Sequence, residues 1–133
     1  MSESKQVLVM KKFPKDRNMR TGKYCAQAAH AAMGALLSIA KPDAYGDNLI
    51  IPLHNHFVKQ WLMGRFRKVA VYVETDEELT KLFESAKAAG LPTALITDAG
   101  LTEFDGVPTI TALGIGPASD EEINKITGHL KLF

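Results

Sequence analysis

Three long polar side chains interrupt the alanine-rich segment TGKYCAQAAH (21–30): Lys23, Gln27 and His30. At 100° per residue, Gln27 lies about 40° round a helix from Lys23, and His30 about 20° to the other side. A helix here therefore carries all three along one stripe, which Gly34 continues. The rest of the helix is mostly small, with Ala26, Ala28, Ala29, Ala31 and Ala32. They let the helix press against a sheet while the stripe stays at an edge. Lys23 falls in the first turn, where the helix dipole disfavours a cation by about 0.3–1 kcal/mol. Stability alone would place Asp or Glu there. A lysine beside open helix N–H groups and a glycine instead suits an anion, either a phosphate or a developing oxyanion. One exposed lysine needs no such reading, and one histidine is more often a hydrogen-bonded structural residue. Three polar groups on one stripe mark a candidate site.

A second cluster, ITDAGLT, places Asp98, Gly100 and Thr102 just past a predicted strand, at the end where open α/β sheets form their sites. Asp-Ala-Gly is also an ordinary turn. If Asp98 and Thr102 face the Lys23 stripe, Asp98 can act as a general base or orient Lys23. Thr102 can then donate to a carbonyl or a water. Weaker candidates surround these. His54 and His56 lack a third metal ligand nearby and read as loop residues. GIGP (114–117) lacks the third glycine and the following helix of a dinucleotide fingerprint. Cys25 has no activating charge in sequence and reads as a small buried residue. Trp61 reads as core, although an exposed Trp could stack on a base.

The elements that must position these residues follow from pattern. QVLVMKK (6–12) is a short apolar run, a buried strand. FPKDRN is a loop. Thr21 is placed to cap a helix that runs to about Lys41, with Pro42 marking its end. Residues 42–56 read as loop, and 57–63 as a second helix. KVAVYVE (68–74) alternates as a strand. Thr75 and Glu78 form a capping box for a helix with Leu79, Leu82, Phe83 and Ala86 on one stripe, ended by Gly90. PTALIT (92–97) and PTITALGIG (108–116) are the third and fourth strands. Ser119 and Glu122 open a last short helix, which Gly128 ends. The order β-α-(α)-β-α-β-β-α predicts an α/β fold, a three-layer α/β/α sandwich on a four-stranded mixed sheet.

Bulk properties fit one domain over residues 1–133: hydrophobic content is 46% and charged content 23%. No apolar run approaches the roughly 18 residues of a membrane span, and the N-terminal apolar run, VLVM, is too short for a secretory signal. Cys25 is the only cysteine, which excludes an internal disulfide and makes a cytoplasmic setting the default. The net charge of +1 does not itself suggest nucleic acid. Its distribution is more informative: seven of the 16 Lys and Arg lie in residues 1–23, opposed only by Glu3 and Asp16, and eight of the 15 acids lie between 74 and 105. A polyanion would be steered to the first region. Counts alone favour a solvated basic strand end.

Taken together, VLVM, DRNMRTGKYCAQAAHAA, DAGLTEF, TALGIGPA and INKITGHLKLF resemble the second class of peptidyl-tRNA hydrolases, the archaeal and eukaryotic type. The resemblance implies a compact α/β/α domain that cleaves the ester between a peptide and the 3′ ribose of its tRNA, without metal or organic cofactor. It places the main catalytic roles on Lys23, Asp98 and Thr102. It matches Gln27, His30, Gly100 and Thr111 to the family's other motif positions. Lys12, Arg17 and Arg20 belong to the basic strip, Lys11 to Arg20, that would take tRNA phosphates. There are departures: FPK (13–15) stands as an insertion before Asp16, and Leu101 and Glu103 replace the usual Arg and Gln. The loop at 42–56 also differs. These changes bear on affinity and substrate more than on fold.

The implied partner is peptidyl-tRNA, with no membrane; a homodimer is left open. The implied mechanism has Asp98 hold or activate a water while Lys23 and Thr102 stabilise the oxyanion or position the carbonyl. Gln27 and His30 would orient these groups or contact terminal nucleotides. Two rivals stand beside it: a non-catalytic RNA-binding or protein-binding domain on the same fold, and a hydrolase of another small ester or amide.

Overall fold

The computed structural model describes residues 3–15, 19–99 and 106–133. Arg17, Gly100, Leu101, Thr102 and Glu103 lie outside them.

Strand β1 (Ser4–Lys11) is followed by helix α1 (Thr21–Leu37), a short hairpin β2 (Lys41–Pro42) and β3 (Leu49–Ile50), and helix α2 (His56–Leu62). Then come β4 (Lys68–Val73), α3 (Asp76–Ala88), β5 (Thr93–Asp98), β6 (Thr109–Ser119) and α4 (Asp120–Thr127). The main sheet has the order β4-β1-β6-β5. β1 is parallel to β4, and β6 is antiparallel to both β1 and β5. The C-terminal ends of β1, β4 and β5 therefore share one edge with the start of α1.

Alternation sorts β1 between two faces. Val7 and Val9 join Val71, Val73, Leu113 and Ile115 in a core covered by α3 and α4. Leu8 and Met10 turn the other way, onto Ala31 and the flank of α1. α2 covers this second face as well, with Val58 and Trp61 buried. The result is the predicted α/β/α sandwich on a mixed sheet.

α1 sits low on the sheet because both surfaces lack bulk. A Cβ at Gly114 would lie 2.1 Å from the Ala31 carbonyl oxygen, and one at Gly34 would lie 3.0 Å from the Ala94 Cβ. Replacing Gly114 with alanine must lift the helix off β6. We expect Gly114→Ala to cost about 1–3 kcal/mol, seen as a lower urea midpoint at unchanged slope.

Several local expectations are corrected. Thr21 does not cap α1; Arg20 occupies the N-cap position, and no side chain caps the helix there. The start is set by packing instead. Met19, just before the cap, and Tyr24, in the first turn, pack together with Phe13 as a hydrophobic staple. The Tyr24 hydroxyl also accepts from the Phe13 N–H at 2.9 Å.

α1 stops at Leu37 rather than near Lys41. The Ser38 hydroxyl donates to the Ala35 carbonyl, and the backbone of Lys41 and Pro42 pairs with β3. The 42–56 loop thus contains a small hairpin, organised by Asp43, which accepts from the Tyr45 and Asp47 N–H groups and the Asn48 amide. Those bonds hold the Asp43 carboxyl below its usual range. Asn55 caps α2, shifting it one residue earlier than predicted and leaving Met63 exposed.

The caps at Thr75 and Ser119 form as expected, each accepting from the N–H three residues on. Gly90 takes the left-handed conformation (φ +73°) that a β-carbon disfavours. β6 runs on to Ser119, past the predicted end at 116, through a cis Gly116–Pro117 bond.

Candidate active site

At the shared edge, Lys23 Nζ lies 2.8 Å from Asp98 Oδ1, with side-chain exposures of 19% and 12%. Asp98 is the last residue of β5 rather than the first beyond it. Its carboxylate therefore inherits the direction of a strand, and Lys23 that of a helix.

Behind the pair stands a buried relay. Gln27, 2% exposed, donates from Nε2 to Asp98 Oδ1 at 3.4 Å. Its Oε1 accepts from the Thr111 hydroxyl at 2.6 Å. The Asp98 carboxylate can only accept, so it takes the Gln27 Nε2, which leaves Oε1 to accept from the Thr111 hydroxyl. An ammonium and an amide thus converge on one carboxylate oxygen, and a fully buried threonine holds the amide.

Thr111 reaches α1 through an irregularity in β6. Ile96 pairs with Ala112, but Thr97 pairs with Ile110, so Thr111 is the extra residue of a β-bulge. The bulge shifts the alternation by one. Thr111 and Ala112 both serve the α1 face, while Ile110 crosses to pack with Leu113 on the other.

The predicted stripe on α1 is divided by the helix's phase. The buried line runs through Gln27, Ala31 and Ala35 and is centred about 80° from Lys23. Lys23 reaches over from its flank because its side chain is long. His30, about 100° from that centre, is exposed and joins none of these hydrogen bonds. Cys25 faces away from the sheet and is exposed, which corrects its reading as a buried residue. Trp61 is buried, and its indole N–H donates to the Arg67 carbonyl, so it offers no stacking face for a base.

The basic strip is uneven. Lys11 pairs with Asp76 at the start of α3, leaving its charge largely answered. Lys12 is exposed, its Nζ 4.8 Å from the Tyr72 ring centre. Lys15 and Arg20 are exposed at the same end. Among the described residues no group of three or more His, Cys, Asp or Glu is placed to hold a metal, and His54 and His56 remain loop and helix-start residues. No helix of the described residues is long and apolar enough to cross a membrane.

Fold and site together define an α/β/α domain with a carboxylate–ammonium pair at the carboxyl edge of its sheet. The family model described as peptidyl-tRNA hydrolase PTH2 matches residues 4–133, and the chain belongs to that family. Among its relatives, the peptidyl-tRNA hydrolase of Thermococcus onnurineus is 40% identical over 99% of both chains. That of Methanopyrus kandleri is 41% identical over 97% of both. That of Halobacterium salinarum is 42% identical over 89% of this chain and 92% of its own.

The relay from Thr111 through Gln27 to Asp98 was not legible as a contact. Its one sequence trace is the spacing of Ile110 and Leu113, three apart where a regular strand face needs two.

Proposed function

We infer that this chain hydrolyses the ester joining a peptide to the 3′ ribose of tRNA, in the cytoplasm, with Lys23 and Asp98 as its reacting centre. The single observation that carries this is the 2.8 Å pair at the sheet edge, braced by Gln27 and Thr111. In this reading a water beside Asp98 attacks the ester carbonyl carbon and gives its proton to the carboxylate. The carbonyl oxygen becomes an oxyanion beside the Lys23 ammonium and the first turn of α1, where the helix dipole favours negative charge. The tetrahedral carbon then expels the ribose 3′ oxygen, which takes the proton back from Asp98. Thr102 and Gly100, by the family resemblance, complete the surroundings of the carbonyl. Gln27 holds Asp98 in place. His30, exposed on the Lys23 flank of α1, is available to the terminal nucleotides. No step draws on a metal or a cofactor.

The test is purified protein with N-blocked aminoacyl-tRNA, scored for release of free tRNA in the presence of a chelator. Cleavage is expected. Binding without cleavage would replace this reading with an RNA-binding module, and no interaction would point to another ester or amide. Lys12, Lys15, Arg17 and Arg20 are the proposed phosphate contacts. The logarithm of tRNA affinity should therefore fall linearly with the logarithm of salt concentration, and Lys12→Gln should flatten that slope by about 0.7–0.9. A slope unaffected by the substitution would remove Lys12 from the contact set.

A further inference from the structure

We propose that Phe133, set against Tyr24 and Tyr72, is a stacking platform for an unpaired base in the 3′ single strand of the tRNA. The proposal rests on the ester-hydrolase reading and adds a positioning residue to it.

The segment after α4 returns along the free edge of β4. Leu132 bridges to Val71, the Tyr72 N–H donates to the Lys131 carbonyl, and the Phe133 N–H donates to the Ala70 carbonyl. This pairing delivers the Phe133 ring to the α1 face of the sheet. There its centre lies 4.9 Å from that of Tyr24 and 6.2 Å from that of Tyr72.

Phe133 nevertheless stays 49% exposed. A ring serving only to seal the sheet edge would be expected to bury more of its face. The exposed Lys12 ammonium lies over Tyr72 and adds a cation to the same patch. The acids that begin α3, Asp76, Glu77 and Glu78, belong to the helix on the opposite face.

Position ties the patch to the reacting pair. Tyr24 follows Lys23 directly, so one helical turn sends the ammonium toward β5 and the phenol toward β1. The Phe133 segment lies outside β4, four strand spacings from β5, about 19 Å along the sheet. With the ester at Asp98, the nucleotides just upstream of it lie at this range. They are single-stranded, so their bases can turn out and stack, and aromatic faces with a nearby cation accept any base.

The experiment measures binding of deacylated tRNA, intact and with its unpaired 3′ nucleotides removed. Wild-type protein should lose about 5- to 100-fold in affinity on trimming, the size of one stacked base. Phe133→Leu keeps apolar bulk without a π face. It should bind intact tRNA that much more weakly and trimmed tRNA as wild type does, and Phe133→Trp should restore the difference. In turnover, Phe133→Leu should raise KM and leave kcat unchanged. Independently, the Phe133→Trp emission, seen above buried Trp61, should be quenched by intact tRNA and not by trimmed tRNA.

Equal weakening for both tRNAs, or none for either, would overturn the platform. A higher KM for the peptidyl ester with unchanged binding of deacylated tRNA would also overturn it, placing the ring against the peptide instead. These outcomes are separate from failure of the hydrolase reading, which would appear as no release of free tRNA from N-blocked aminoacyl-tRNA by the wild-type protein.

Discussion

Asp98→Asn lowers kcat by about 10²–10⁴-fold and leaves the affinity for deacylated tRNA unchanged. The substitution is nearly isosteric, and the amide oxygen can still accept from Gln27 and from Lys23, so the braced geometry survives. What disappears is the base. An amide cannot take a proton from water, and general-base catalysis is worth a loss of that size. The measurement is single-turnover cleavage of N-blocked aminoacyl-tRNA, read beside a binding isotherm and a urea melt. Activity within about tenfold of wild type, with the fold intact, would show that the proton goes elsewhere.

Lys23→Met is expected to cost about 10²–10³-fold in kcat, the size of a lost oxyanion donor. Methionine preserves the length and much of the apolar stem, so packing against the sheet should hold. The ammonium matters in two ways. In the resting protein it answers the Asp98 carboxylate, both groups being largely enclosed. In the reaction it stands where negative charge develops. Lys23→Arg should recover only part of the loss, because a planar guanidinium held by a carboxylate cannot swing to a new oxygen as a compact ammonium can. A Lys23→Met protein whose KM rises at constant kcat would assign the lysine to binding rather than to chemistry.

The layers of the fold were legible because their signals are local and strong. Alternation in 68–74, the capping boxes at Thr75 and Ser119, and the Leu79, Leu82, Ala86 stripe each name one element, and each forms. The Lys23 half of the site was legible because a cation in the first turn of a helix works against helix stability and so called for a reason. Packing decided what the sequence could not show. The hydrophobic staple of Met19 and Tyr24 moved the start of α1, and the helix's phase turned Gln27 inward while leaving His30 and Cys25 outside. The bulge at Thr111 joined residues 84 positions apart, a link that no local pattern carries. Phe133 went unnoticed because an aromatic outside any helix or strand has no periodicity to betray the ring it will rest on.

The most direct test of the central claim is a double-mutant cycle on the single-turnover rate with N-blocked aminoacyl-tRNA, comparing Lys23→Met, Asp98→Asn and the two combined. Groups that act as one unit give strongly non-additive losses. The double variant should be no slower than the slower single variant, with tRNA affinity and urea midpoint matching the singles. Losses that multiply, or singles that retain nearly full rate, would contradict a reacting centre built from this pair.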